Sequence, residues 1–353
     1  MRILIVCDFL FKYGAEQARS LAHAGQDVAM LVRAHALEFG GSMDERRRVL
    51  EDLQVDGVRQ FVIPGRIRSP AAAPAMVKIR RRLRTWQPHI VHVHENHDPR
   101  LLAVTRGFRT IFTVHDPVEH LGARVFTRRD AWVTRQWLRR AQRIVVHAES
   151  LADELAAAVG PARIAVIPHG LWPLEQPLSG PTTPAVLLFG RLEQYKGVDV
   201  LIAAMHLVWR ERPEVRLIVA GEGPAAADVP EHPRVTLIER YIRESEVQPL
   251  LSEASLVALP YTQASQSGVG ALAIAAGVPV VVTDVGALRE LAYDPTFVAR
   301  AADPPALAAA ILRNVDHDAG VRAAVIEHAR ARFSWDHAAE LSLELYREVL
   351  RKS

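Results

Sequence analysis

Two cations sit close together in Gly190–Arg191–Leu192–Glu193–Gln194–Tyr195–Lys196–Gly197, directly after the apolar run Ala185–Gly190 and ahead of a helical pattern. Fixed positive charge at the C-terminal end of a strand suits an anionic group, a diphosphate above all. Further on, Gln263–Ala264–Ser265–Gln266–Ser267–Gly268–Val269–Gly270 links a strand to a helix. Its small residues expose backbone N–H groups at a helix N-terminus, which is an anion site. Taken alone, this loop reads equally well as a plain cap and turn. Beside Arg191 and Lys196 the anion reading prevails.

Other motifs are weaker. Gly221–Glu222–Gly223 follows an apolar strand, but Pro224 and two alanines stand where a dinucleotide fingerprint needs its third glycine. Lys196 precedes its glycine without a glycine-rich lead-in, which excludes a P-loop. His92 and His94 are two apart on a strand and share one face, with Glu95 and His97 following. That is ligand-like, yet a structural zinc site needs about four ligands and no second cluster is evident. A polar rim at a strand end is the preferred reading, and no metal is expected. Asp316–His317–Asp318 resembles a metal-binding Asp-x-Asp but lies between helices, where aspartate caps are ordinary. Lys78, Arg80, Arg81, Arg82 and Arg84 fall on one helix. They make a solvated face, or a contact for anionic lipid headgroups or a diphosphate-bearing acceptor. No interleaved aromatics point to nucleic acid.

The elements that must position these residues alternate. Arg2–Phe9, Asp27–Val32, Val58–Pro64, His89–Glu95, Thr110–Asp116, Arg143–His147 and Arg163–Pro168 are apolar runs suited to strands buried on both faces of a parallel sheet. Helical patterns separate them at Ala15–Ala24, Ala72–Trp86, Ala131–Ala141 and Ser150–Val159. Residues 173–184 are proline-rich and aperiodic, which is linker chemistry. A second series follows, with strands at Ala185–Gly190, Val215–Ala220, Val235–Ile238, Leu256–Pro260 and Pro279–Thr283. Its helices are Val198–Trp209, Glu244–Glu253, Gly268–Ala276 and Pro305–Asn314, and Phe333–Arg351 reads as one long helix capped by Ser334. The fold class is α/β, two Rossmann-like doubly wound domains: residues 1–172, then a linker at 173–184, then 185–332, with the closing helix at 333–353.

A chain of 353 residues fits two domains of about 100–200 residues each. One cysteine, Cys7, excludes a disulfide framework and points to a reducing compartment. Arg2 and Asp8 bracket too short an apolar stretch for a signal peptide, and no uncharged run approaches the ~20 residues of a membrane span. The expected location is cytoplasmic, with a possible peripheral position at the inner membrane face through the basic helix near Arg80–Arg84. The net charge of +3 divides unevenly: residues 1–172 hold 26 Lys+Arg against 17 Asp+Glu, and residues 173–353 hold 17 against 23. Halves of opposite sign suggest different partners, one of them anionic.

In order and spacing, several stretches resemble glycosyltransferase family 4. They are Thr113–Val114–His115–Asp116, Val166–Ile167–Pro168–His169–Gly170, Gly190–Arg191 with Lys196–Gly197, and Val219–Ala220–Gly221–Glu222–Gly223–Pro224. They continue with Arg240–Tyr241–Ile242, Leu259–Pro260–Tyr261 with the Ala264–Gly268 loop, Ala275–Ala276–Gly277–Val278–Pro279–Val280–Val281, and Phe333–Ser334–Trp335. The resemblance implies the GT-B fold, with two domains facing across a cleft and the last helix crossing back to the first domain. It implies a metal-independent retaining transferase that takes a sugar from a nucleoside-diphosphate sugar to a glycan, lipid-linked or small-molecule acceptor, with no covalently bound cofactor. Arg191 and Lys196 would hold the diphosphate and His115 would sit beside the transferring sugar. Gly14, in the loop after the first strand, would admit the phosphate or acceptor. Glu222, Tyr241, Gln263, Ser265, Gln266, Ser267, Gly268 and Val269 would line the donor site, with His94 and Glu95 on the acceptor side. The family's two loop glutamates are replaced by Ala264 and Leu272, and Gln263 stands where a related subgroup has glutamate. A nucleotide-sugar epimerase of the same fold and a non-catalytic nucleotide-sugar-binding homologue are the alternatives.

Overall fold

The computed structural model describes residues 1–7, 10–33, 43–63, 72–115, 127–174, 176–264 and 266–352. Two all-parallel sheets organise the chain. The first contains β1 (Arg2–Val6), β2 (Asp27–Arg33), β3 (Arg59–Ile63), β4 (Ile90–His94), β5 (Thr110–Thr113), β6 (Arg143–Val146) and β7 (Ile164–Val166). Their order is β3-β2-β1-β4-β5-β6-β7. The second contains β8 (Ala185–Phe189), β9 (Arg216–Ala220), β10 (Val235–Ile238), β11 (Leu256–Leu259), β12 (Val280–Thr283) and β13 (Val298–Ala299), ordered β10-β9-β8-β11-β12-β13. Helices α1 (Phe11–His23), α2 (Met43–Val55), α3 (Ala72–Trp86), α4 (Pro99–Val104), α5 (Arg128–Arg140) and α6 (Glu149–Val159) serve the first sheet. Helices α7 (Val198–Glu211), α8 (Glu244–Ser252), α9 (Gly268–Ala275), α10 (Leu288–Leu291), α11 (Pro304–Asn314) and α12 (Ala319–Phe333) serve the second. The closing helix is α13 (Trp335–Arg351).

Both sheets reverse direction next to their first strand, at β1/β4 and at β8/β11. Such switch points leave a crevice beyond the strand C-termini, where α/β folds bind ligands. In the first sheet, Ile3, Ile5, Val28, Met30, Ile90, Ile111 and Val145 share a buried cluster with residues of α1 and α13. Side chains alternate along a strand, so His92 and His94 project on this same face as Ile90. On the other face Phe112 stacks on Trp137 of α5, with ring centroids 6.1 Å apart.

The chain divides into two compact units. One holds the described residues of 1–115, 127–170 and 335–352; the other holds those of 171–334. The tail is therefore two helices: Phe333 closes α12 in the second unit, and Ser334, with φ −66° and ψ 148°, is an extended step into α13 of the first. The proline-rich stretch is strapped to the second unit. Leu174 and Leu178 donate their N–H groups to the carbonyls of Ala275 and Ala276 at 2.8 and 3.0 Å, and Arg322 reaches the Leu178 carbonyl. Helices α2, α4, α10 and α12 and strand β13 were not foreseen from periodicity: α2 is dominated by charge, and α4, α10 and β13 are only six, four and two residues long.

Candidate functional site

At the first switch point the strands deliver histidines. His94 ends β4, His115 follows β5, His147 follows β6 and His169 follows β7. Tyr13 of α1 sits at their centre, with ring centroids 5.2, 5.1, 5.4 and 4.4 Å from His94, His115, His147 and His169, and 4.8 Å from Trp335. The rings form a hydrogen-bonded chain: Gln17 to His94 Nε2 at 2.6 Å, His94 Nδ1 to His115 Nε2 at 3.1 Å, His115 Nδ1 to His147 Nε2 at 3.1 Å, and His147 Nδ1 to the Ile167 carbonyl at 2.8 Å. Glu95 accepts the His115 backbone N–H at 3.2 Å. His92 is held separately, by Tyr346 at 2.5 Å and Thr113 at 2.6 Å.

Burial keeps these rings neutral. It pushes His92 and His147 down to about 3 and His169 down to about 4, and it takes His94 and His115 well below the usual imidazole range. Neutrality fixes the tautomers. The Ile167 carbonyl only accepts, so His147 carries its proton on Nδ1 and receives on Nε2. His115 and then His94 must likewise carry theirs on Nδ1. Four links need four protons and three neutral imidazoles supply three. The Gln17 amide therefore turns its NH2 toward His94, the two amide ends being interchangeable in placement. Both ring nitrogens of His115 are thus satisfied within the first unit.

Two glycines explain part of the motif spelling. Gly14 lies inside α1, not in a loop, and a Cβ there would stand 2.5 Å from the Cys7 Cβ. It lets α1 close on the end of β1. At Gly170 a Cβ would collide with the indole of Trp335. That contact joins the histidine strand ends to the start of α13, and Ser20 Oγ donates to the Trp335 carbonyl at 2.9 Å from α1.

The second switch point carries charge. Lys196 is buried after β8, its Nζ 3.1 Å from the Tyr261 hydroxyl beyond β11 and 4.9 Å from that ring's centroid. Tyr261 in turn lies 3.3 Å from Ser267 Oγ, which caps α9 by accepting the Gly270 N–H at 3.2 Å. Burial lowers the Lys196 ammonium pKa and the positive charge of Arg191 lowers it further, while Tyr195 and Glu193 oppose this. Burial also pushes the Tyr261 hydroxyl up to about 12. Arg191, Glu222, Gln263 and Gly268 are exposed, Val269 is half-buried, and Gln266 Nε2 is buried without a hydrogen-bond partner among the described residues. Tyr241 is 69% exposed, next to the Arg240–Glu246 ion pair. Ser265 and Asp116 lie outside the described residues. Leu272 is an exposed side chain on α9 and Ala264 is half-buried.

Lys196, Arg191 and the α9 N-terminus thus come together in the second unit, and His94, Glu95 and His115 come together in the first. No group of three or more histidine, cysteine or acidic side chains among the described residues is arranged to hold a metal. Asp318 caps α12 by accepting the Val321 N–H at 3.1 Å, and Asp316 pairs with Arg212. Arg80 is not a free surface cation: its guanidinium donates to the carbonyls of Ala103, Val104 and Arg106. Sequence reasoning missed Gln17, Tyr13, His147, His169 and Tyr261 as site residues. A readable signal exists, since a histidine ends or closely follows each of β4, β5, β6 and β7.

Residues 12–171 match the Glycosyltransferase Family 4 model and residues 183–317 match Glycosyl transferases group 1. The chain belongs to glycosyltransferase family 4. It is 28% identical to glycogen synthase of Mycobacterium tuberculosis across 93% of this chain and 88% of that one. It is 32% identical to D-inositol 3-phosphate glycosyltransferase of a Nocardioides species over 48% of this chain and 43% of the other. Among solved structures, Anabaena HepE in complex with UDP superimposes with a TM-score of 0.71 at 18% identity, covering 99% of this chain and all of that one. Sucrose-phosphate synthase of Thermosynechococcus elongatus gives 0.67 at 20% identity, covering both chains in full. The fold of this glycosyltransferase is GT-B.

Proposed function

We propose that this glycosyltransferase takes its sugar from a nucleoside-diphosphate donor and passes it, with retention and without a metal, to a hydroxyl acceptor on a glycan, lipid-linked or small-molecule substrate. The observation that carries this reading is the buried Lys196, flanked by Arg191 and aimed with Tyr261 and Ser267 at the crevice of the second sheet. A buried ammonium that donates to a tyrosine hydroxyl and meets no carboxylate within hydrogen-bond distance among the described residues suits an arriving anion. Cleavage of the C1–O bond leaves two electrons on the diphosphate oxygen, and preorganised cations stabilise that charge more in the transition state than in the bound donor. The acceptor oxygen then bonds to C1 on the face the leaving group vacates, and its proton passes to the departing phosphate oxygen. In this reading the orphaned Gln266 amide and the N–H groups of Gly268 and Val269 share the donor. His115 serves the transferring sugar by exchanging one of its two ring links for a sugar hydroxyl, and His94 and Glu95 stand on the acceptor side. HepE was solved with UDP-glucose, so uridine diphosphate sugars are the first donors to try.

The test is release of nucleoside diphosphate from a panel of nucleotide sugars, in chelator, with and without acceptor extracts. Turnover of one donor that is lost in Lys196→Ala supports the reading. Tight nucleotide binding without turnover of any donor would overturn it, as would epimerisation of a sugar still attached to its nucleotide.

A further inference from the structure

The hydrogen-bonded imidazoles of the first unit have a direction, and one residue sets it. A neutral imidazole donates from one ring nitrogen and accepts at the other, so rings linked through both nitrogens all point the same way. At the Gln17 end the direction is free, because an amide offers a donor or an acceptor by turning over. At the other end it is fixed. His147 Nδ1 lies 2.8 Å from the Ile167 carbonyl, which only accepts.

The sheet holds that carbonyl in place. Val146 pairs with Val166 across β6 and β7, and the Ile167 N–H continues the ladder to the Val146 carbonyl at 2.9 Å. Thr113 pairs with Val145 across β5 and β6, so His115 and His147 stand two residues further on as strand-end neighbours. The His147 ring is 3% exposed and walled by Tyr13 and His169, with centroids 5.4 and 5.3 Å away. On the far side of His115, the Glu95 carboxylate pins its backbone N–H.

We propose that His147 is a positioning residue: anchored on the Ile167 carbonyl, it keeps the His115 proton on Nδ1 and so presents His115 Nε2 to the sugar as an acceptor. The inference rests on the sugar-facing role given to His115 above. With Nδ1 tied to His147, the link that yields to substrate is the one between Nε2 and His94 Nδ1, now 3.1 Å long. The group that replaces His94 there must supply a hydrogen. A sugar hydroxyl does so, whereas an ether oxygen or an ionised carboxylate does not. A lone pair aimed at the sugar also suits the positive charge that gathers on it as the C1–O bond opens, and an N–H there would oppose that charge. His147 itself touches no substrate in this scheme and acts only through His115.

The experiment is nuclear magnetic resonance of the full chain with isotope-labelled imidazole nitrogens, the His115 signals being those lost in His115→Ala. Wild type is expected to show His115 protonated at Nδ1 alone. His147→Phe keeps the ring shape and removes the acceptor, so the Gln17 amide turns over and His115 protonated at Nε2 appears. His147→Gln keeps the Nδ1 form, because its amide N–H meets the Ile167 carbonyl while its oxygen faces His115. With the donor selected from the nucleotide-sugar panel, kcat falls roughly 10- to 100-fold in His147→Phe. It recovers in His147→Gln, and nucleoside diphosphate affinity is unchanged in both. A ring that only filled space would give the opposite order. His115 protonated at Nε2 in wild type, an unaltered tautomer in His147→Phe, or more activity in His147→Phe than in His147→Gln would overturn the proposal. Failure of every donor would instead strike the transfer reading, and the tautomers of the free chain would still decide the role of His147.

Discussion

The two switch points share a topology and differ in chemistry. In the first sheet the crevice is lined by neutral imidazoles around Tyr13, each bound to the next and held uncharged by burial. In the second it holds a buried ammonium beside an arginine and a helix N-terminus. The first suits uncharged hydroxyl groups, whose donors and acceptors match imidazole edges, and the second suits a diphosphate. Net charge points the other way, since Lys196 and Arg191 stand at the crevice of the half with the negative balance. Placement, not total charge, assigns the ligand.

The comparison is most exposed to change at Lys196. Lys196→Ala is expected to lower turnover by roughly 10²–10³, about 3–4 kcal/mol of transition-state stabilisation, with far-ultraviolet circular dichroism unchanged. A loss under tenfold would remove the distinction between the crevices. Gly170→Ala forces a methyl against the Trp335 indole and should destabilise the first unit by about 1–3 kcal/mol, read as a lower denaturant midpoint.

Acid should act selectively on the first unit. Five histidines, of which His92, His94 and His147 are buried and His115 and His169 half-buried, have depressed folded pKa values, so the unfolded chain binds protons that the folded one does not. Their contribution is complete above pH ~6.5 and is lost as pH falls, toward about 4 for His169 and about 3 for His92 and His147, at up to ~1.4 kcal/mol per pH unit for each ring. Hydrogen exchange between pH 7 and 4 (a range of ~3 units around these values) should show opening of β4–β7 before β8–β12; simultaneous opening would show that the histidine chain is not what distinguishes the units. The smallest effect is expected at Ser267→Ala, about 1 kcal/mol from the lost α9 cap, accompanied by a weaker donor KM because Tyr261 loses a partner beside Lys196.

Much of the fold was legible because both sheets are parallel and buried, so their strands appear as unbroken apolar runs such as Ile3–Val6 and Val280–Val282. Lys196 and the Ser267 cap were legible because each lies in a continuous strand–turn–helix segment. The histidine chain was not. Its members come from four strand ends and one helix, and only the sheet order brings Gln17, His94, His115 and His147 into contact. Gly14 was misplaced in a loop because α1 begins four residues after Cys7, sooner than the apolar pattern indicated. Ser334 was legible as the cap of the closing helix, but not as the extended step that parts α12 of one unit from α13 of the other.

Calorimetric titration of a nucleoside diphosphate into Lys196→Ala and His115→Ala tests the division between the crevices most directly. The account predicts that binding disappears in the lysine variant and survives in the histidine variant. Retained binding in Lys196→Ala together with loss in His115→Ala would place the phosphates in the first unit and contradict it.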